Sequence, residues 1–140
     1  MQWVLDDSEV ATLTWPDAQA ITSGAADAEM RLSAARVLTS TDGTGSGQGQ
    51  WQPLVVTLHS AQMLDGGQPS DVVGRIHAGQ VIVDGMQLRS LPLPSKLNAA
   101  PDAPLVLELE MAWGSYCRIK ALGLTLSTPP QACAVDALQC

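Results

Sequence analysis

The chain has 140 residues, 46% of them apolar, with 14 acidic and 7 basic side chains and a net charge of −7. That length fits one domain that buries its own core without a metal or a disulfide, and a negative balance with no basic cluster argues against a nucleic-acid partner. No run approaches the roughly 18 apolar residues of a membrane-spanning helix, and with 4 Trp, 1 Tyr and no Phe the core must be mainly aliphatic.

The opening residues, MQWVLDDSEV, put Asp6, Asp7 and Glu9 where a secretory leader needs positive charge and then an apolar run, so a cytoplasmic chain is expected. Strands are predicted near Gln2 to Leu5 and Val10 to Trp15. The Ala-rich stretch from Asp17 to Ala28 allows at most a short helical turn. In the next strand, Glu29 to Leu38, Met30, Leu32 and Ala34 share one parity, Arg36 interrupts it and Val37 lies on the other, which predicts a bulge. Residues 40 to 50, STDGTGSGQGQ, read as a flexible Gly-rich loop between two long strands. The loop lacks the Lys-Ser/Thr of a phosphate-binding P-loop, and Thr44 and Gln48 flank Ser46 where a nucleophile elbow needs glycines. A long strand is expected from Leu54 to Leu64.

Residues 74 to 94, GRIHAGQVIVDGMQLRSLPLP, carry Asp84-Gly85 between Val83 and Met86, the signature of a type I′ hairpin. The predicted pairing matches Val83 with Met86 and Val81 with Leu88. A further turn at Ala78-Gly79 would align Ile76 with Val81 and make a three-strand meander. In SLPLPSKL, Leu91 and Leu93 alternate with Pro92 and Pro94. Such a segment cannot continue a central sheet, so it either blunts an edge or offers an apolar strip to a second chain, as in a homodimer.

Residues 106 to 127, VLELEMAWGSYCRIKALGLTLS, alternate with period two on both sides of Gly114. A three-residue loop from Trp113 to Ser115 would pair Met111 with Cys117, Glu110 with Arg118 and Glu108 with Lys120, keeping the apolar side chains on one face. The parity slips again after Ala121, as at the corner of a barrel or sandwich. The pattern ends after Leu126, giving a single β domain over residues 1–127 and a C-terminal tail over 128–140. Of the three cysteines, Cys117, Cys133 and Cys140, the last two could pair in an oxidising compartment, whereas free thiols suit a cytoplasm.

Chemistry is sparse. His59 and His77 are the only histidines, each in a predicted strand, and either could act as a base if a carboxylate or nucleophile folded against it. No spacing of His, Cys, Asp or Glu indicates a metal site, and no motif indicates a cofactor. Trp3, Trp15, Trp51 and Trp113 fall at strand ends or loop edges, where an indole plugs the end of a core or offers its flat face to a sugar or a partner; plugging is the favoured reading, and if any indole is exposed, Trp113 or Trp51 is the one expected.

The run GRIHAGQVIVDGMQL, then LPLP, then LVLELEMAWGSYCRIKALGLTL, resembles small uncharacterised all-β bacterial proteins, including some encoded on mobile, integron-type gene cassettes. The likeness covers residues 54 to 127 and implies a compact cytoplasmic barrel or sandwich that binds or neutralises another molecule; it carries over no catalytic residue. The fold expected from the residues is an all-β antiparallel barrel or two-sheet sandwich of about eight or nine strands. The favoured function is a noncatalytic binding or interaction module that makes contacts through Trp51, Trp113, Leu91 and Leu93, its partner a protein or a small molecule. The alternatives are a small-molecule-binding barrel, with His59 or His77 as a catalytic base if it is an enzyme, and an acidic inhibitor of a basic toxin or nuclease.

Overall fold

A computed structural model of the chain describes residues 1–39, 48–65 and 68–129. Ser46 and most of the expected Gly-rich loop lie outside the described residues, as do Cys133, Cys140 and the tail from residue 130. The chain is all-β, with strands β1 (Gln2–Thr14), β2 (Ala28–Thr39), β3 (Gln48–His59), β4 (Gln62–Asp65), β5 (Gly74–Val83), β6 (Met86–Leu88), β7 (Ser90–Pro92), β8 (Ser95–Asn98), β9 (Leu105–Met111), β10 (Tyr116–Ala121) and β11 (Gly123–Ser127). The eleven strands exceed the expected eight or nine, because corners divide segments read as continuous and the Pro-flanked segment adds two short strands. Gln48 to Gln50, expected in the loop, already belong to β3 and pair with Thr39 to Val37 of β2.

One short helix, α1 (Ala18–Ser23), occupies the Ala-rich segment. Asp17 starts it by accepting from the Ala20 N–H at 2.9 Å, and Gly24 ends it at φ 73°. Among the described residues a single 3-10 turn lies at Pro69–Val72. No helix among the described residues is long and apolar enough to cross a membrane.

Every pairing among the strands is antiparallel, in the order β4-β10-β9-β5-β1-β2-β3-β11-β8, with β6 added to β5 and β7 to β1. The path does not close into a barrel. Two corners bring its ends together through the chain. Ser60, at φ 49°, and Ala61 turn β3 into β4, and Leu122 turns β10 into β11, so β4 pairs with β10 while β3 pairs with β11. The corner after Ala121 is the parity slip legible in the sequence; the one at Ser60 breaks the strand expected from Leu54 to Leu64. One cluster of buried side chains, including Trp3, Leu32, Leu54, Leu107 and Ile119, draws on both ends of the path.

β1 joins two segments that were expected to be separate strands. Val4 pairs with Arg36 and Glu9 with Ala34, so five steps along β1 match two along β2, and the excess residues form a large bulge with Asp7 at φ 70°. Within it the Leu5 N–H donates to the Arg89 carbonyl, and Asp6 accepts from the Gly79 N–H at 2.9 Å. The excursion thus ties β1 to the β5 side of the fold. The bulge expected in β2 is present as a register shift between Leu32 and Ala35.

The type I′ hairpin forms as predicted. Asp84 and Gly85 have φ of 52° and 77°, and Val83 pairs with Met86 and Val81 with Leu88. The turn at Ala78-Gly79 does not form: β5 runs straight through, and Ile76 pairs with Met111 of β9 instead of lying opposite Val81. Gly79 serves close approach, since a Cβ there would lie 3.0 Å from both Leu109 Cδ2 and Leu5 Cβ. Leu91 and Leu93 are likewise corrected. Both are buried in the core, at 1% and 8% exposure, because β7 lies against β1 with Leu91 opposite Trp3, so they offer no apolar strip. The edge that the Pro-flanked segment does supply is β8, the last strand of the path.

Candidate functional site

The hairpin of β9 and β10 forms with the predicted parity but a shifted register. Glu108 pairs with Arg118 and Glu110 with Tyr116, two residues from the predicted match of Glu110 with Arg118. The loop sets this register. The Gly114 N–H donates to the Met111 carbonyl, the Met111 N–H to the Ser115 carbonyl, and Gly114 takes φ 106°. A three-residue loop of this kind is a type I turn followed by a residue at positive φ, the place for a glycine. A loop over Trp113 to Ser115 would have put Ser115 there.

The shift decides which charges meet. Arg118 Nε donates to Glu108 Oε2 at 3.1 Å, and Gln80 Nε2, from the neighbouring β5, donates to Glu108 Oε1 at 2.7 Å. Arg118 also reaches Asp65 of β4 at 3.6 Å. Glu110 is left opposite Tyr116, without a side-chain hydrogen bond or ion pair among the described residues. Gln80, Arg89, Glu108, Glu110 and Tyr116, with Ala78 and Gly79, line an open cleft of about 150 Å³. Arg89 is braced by Asp6 at 3.5 Å, the same carboxylate that caps Gly79. Tyr116 is 46% exposed, and its phenol is raised above the ordinary value of 10 by desolvation and then by the negative charge of Glu108.

A second constellation lies at the corner between β3 and β4. His59 places Nδ1 3.2 Å from Asp27 Oδ2 and Nε2 2.8 Å from the Thr125 hydroxyl. Asp27 also accepts from the Ser60 N–H at 2.9 Å. That backbone bond, ahead of the contact with His59, holds the Asp27 carboxyl below its ordinary value of 3.8 despite some desolvation. A carboxylate, an imidazole and a hydroxyl in line form the chain that activates a nucleophile in triad enzymes. Neither the Tyr116 cleft nor the hollow bounded by Ser60, Gln62, Lys120 and Leu122 is lined by His59 or Thr125. Gly123 pairs with His59, and a Cβ on it would come within 3.1 Å of the imidazole, so the glycine leaves room for the ring beside it.

His77 is brought to no such group. It is the extra residue where the β5–β9 register slips between Ile76 and Ala78, and it points outward with no polar partner among the described residues. Among the described residues no three His, Cys, Asp or Glu side chains are grouped to hold a metal ion.

Trp51 and Trp113, the two named if any indole were exposed, are exposed at 58% and 59% rather than plugging the core, while Trp3 is fully buried and Trp15 donates its indole N–H to the Ala61 carbonyl. They do not share a neighbourhood on the sheet. Trp51 lies opposite Arg36 of β2, whereas Trp113 sits in the β9–β10 loop and donates to the Val73 carbonyl at 3.2 Å. The residues that sequence reasoning missed are Gln80, Arg89, Glu108, Glu110 and Tyr116 of the cleft, together with Asp27 and Thr125. The glycine in the third loop position was the signal that could have given the register, and with it Glu110 opposite Tyr116.

No protein-family model, curated protein or solved structure matches the chain.

Proposed function

We propose that this protein is a noncatalytic binding module that takes a small polar molecule in the cleft lined by Gln80, Arg89, Glu108, Glu110 and Tyr116. The observation that carries the reading is the fixing of Glu108 between Gln80 and Arg118, beside a half-exposed tyrosine ring. All three polar side chains stand on paired strands, so their geometry is set before any ligand arrives and little order has to be created on binding. The reading keeps the expected cytoplasmic location, which suits the free thiol of Cys117.

A thermal-shift screen of the purified chain against sugars, nucleotides, metabolites and divalent metals tests it. A ligand at 100 times its dissociation constant adds about 2.7 kcal/mol to the folded state. The expected result is a raised melting temperature that Tyr116→Ala abolishes and Trp51→Ala leaves in place. A screen in which nothing acts through Tyr116 would sink the cleft as a site and turn attention to a protein partner at Trp51 or Trp113.

The chain Asp27–His59–Thr125 favours a second reading, hydrolysis of an activated ester with Thr125 as nucleophile and His59 as base. Its test is p-nitrophenyl acetate turnover by the protein and by Thr125→Val and His59→Gln. Turnover lost in both variants, with melting temperature unchanged, would favour catalysis over binding. An inhibitor of a basic partner draws less support, because the carboxylates of Asp6, Asp7, Glu29, Asp65 and Glu108 are each paired with an arginine of this chain.

A further inference from the structure

We infer that the ligand of the Tyr116 cleft is a neutral polyhydroxyl compound of the size of a single sugar ring, an inference that rests on the binding-module reading above. Three properties of the lining select it. The first is charge. Arg89 is balanced by Asp6, and Arg118 is shared between Glu108 and Asp65, which leaves the Glu110 carboxylate as the one charge lining the cleft without an ion-pair partner. That carboxylate repels an anion, and it offers a cation a single solvent-exposed partner facing Arg89 across the same cleft.

The second is hydrogen-bonding capacity. An ionised carboxylate has about four acceptor positions, and Glu108 uses two, one on each oxygen, for Gln80 and Arg118. Glu110 keeps all of its own. Gln80 retains its amide oxygen and one N–H, Arg89 retains guanidinium donors beyond the one facing Asp6, and the Tyr116 hydroxyl both donates and accepts. Donors and acceptors are therefore both present on one small space, as adjacent hydroxyl groups require, each of which donates one bond and accepts others. A ligand with only donors or only acceptors would leave half of the lining unpaired.

The third is shape. The Tyr116 ring supplies a half-exposed flat apolar face suited to the C–H face of a pyranose. The cleft volume of about 150 Å³ falls below the roughly 300 Å³ at which sites for drug-sized ligands begin, which suits contact with a single ring.

The test is an NMR titration of the full chain with D-glucose, D-galactose and N-acetyl-D-glucosamine, with choline chloride and inorganic phosphate as the charged comparisons. The expected result is saturable movement of the Gln80, Glu108 and Tyr116 amides by one of the sugars, with a dissociation constant of about 1 mM. Tyr116→Ala and Gln80→Ala should each weaken it at least about tenfold, and Trp51→Ala should not. Saturation of the same amides by choline or phosphate and by none of the sugars overturns the inference while leaving the cleft a binding site. Silence from all five probes also overturns it, and the binding-module reading fails with it only if the wider thermal-shift screen is silent too.

Discussion

The indole N–H of Trp3 donates to the hydroxyl of Ser8 at 3.0 Å, five residues along the same strand. Ser8 is fully buried, and its hydroxyl also accepts from the Arg36 N–H at 3.0 Å and donates to the Val4 carbonyl at 2.8 Å. One side chain thus pairs the groups that the β1 bulge takes out of the ladder. Ser8→Ala strands the buried indole N–H of Trp3, at about 1–3 kcal/mol, and takes the partner from the half-buried Arg36 N–H. A urea melt should show a lower midpoint with an unchanged slope; a loss below about 0.5 kcal/mol would mean that the bulge closes around the gap.

Gly79→Ala should cost about 1–3 kcal/mol by overpacking, since the added methyl meets Leu109 Cδ2 and Leu5 Cβ at 3.0 Å. Gly85→Ala is the comparison. It has open space around it and φ of 77°, so its cost of about 1–2 kcal/mol comes from the backbone alone. Thermal melts of the two variants combined with Leu109→Ala separate the causes: trimming Leu109 should offset part of the Gly79 penalty and none of the Gly85 penalty.

Cys117 should be inert in the native protein. Burial pushes its thiol up to about 12 from 9, against a smaller opposing effect of the Leu109 backbone. In a variant carrying Cys133→Ser and Cys140→Ser, a thiol reagent at pH 8 should label nothing until denaturant is added. Because the fold favours the neutral thiol, this contribution to stability is present below pH 9 and is lost as the pH rises from there through about 12. Rapid native labelling would show that the β9–β10 hairpin opens.

Asp27 works in the opposite direction. Its folded pKa is lowered, chiefly by the Ser60 N–H, so the stability it contributes is present above the ordinary 3.8 and is lost as the pH falls through the lower folded value. Urea midpoints of the protein and of Asp27→Asn should differ at pH 7 and converge towards pH 3. A gap that stays constant over that range would assign the effect to shape rather than charge.

Acrylamide quenching checks the tryptophans. Trp51 and Trp113 are exposed and Trp3 is sealed in the core. The double variant Trp51→Phe, Trp113→Phe should therefore lose the red-shifted, easily quenched emission and keep a blue-shifted remainder. Unchanged quenching in that variant would mean that Trp3 or the half-buried Trp15 is open to solvent.

The candidate site was less legible than the fold. His59 could be singled out because only two histidines exist, but Asp27 and Thr125 lie 32 and 66 positions away, and only the pairing of β3 with β11 and the corner at Ser60 bring them to it. A place at a strand end or loop edge, shared by all four tryptophans, did not separate the exposed Trp51 and Trp113 from the buried Trp3. Leu91 and Leu93 were misread because alternation with proline marks an extended segment without saying which face it turns to the core. The cleft residues Gln80, Glu108 and Tyr116 come from three strands, and their meeting depends on β5 lying beside β9.

By itself the sequence determined parity. Period-two alternation assigned Leu107, Leu109, Met111, Cys117 and Ile119 to one face, and they are all buried. Asp84-Gly85 determined its hairpin, since those residues tolerate the positive φ the turn requires. Register and neighbourhood were decided by the tertiary structure. A shift of two residues leaves every apolar side chain on its own side, so the alternation cannot tell Glu110 opposite Arg118 from Glu110 opposite Tyr116. The choice falls to the loop that lets Gly114 take φ 106° and to the strand that packs Gly79 against Leu109, and with it falls the charge and shape of the cleft.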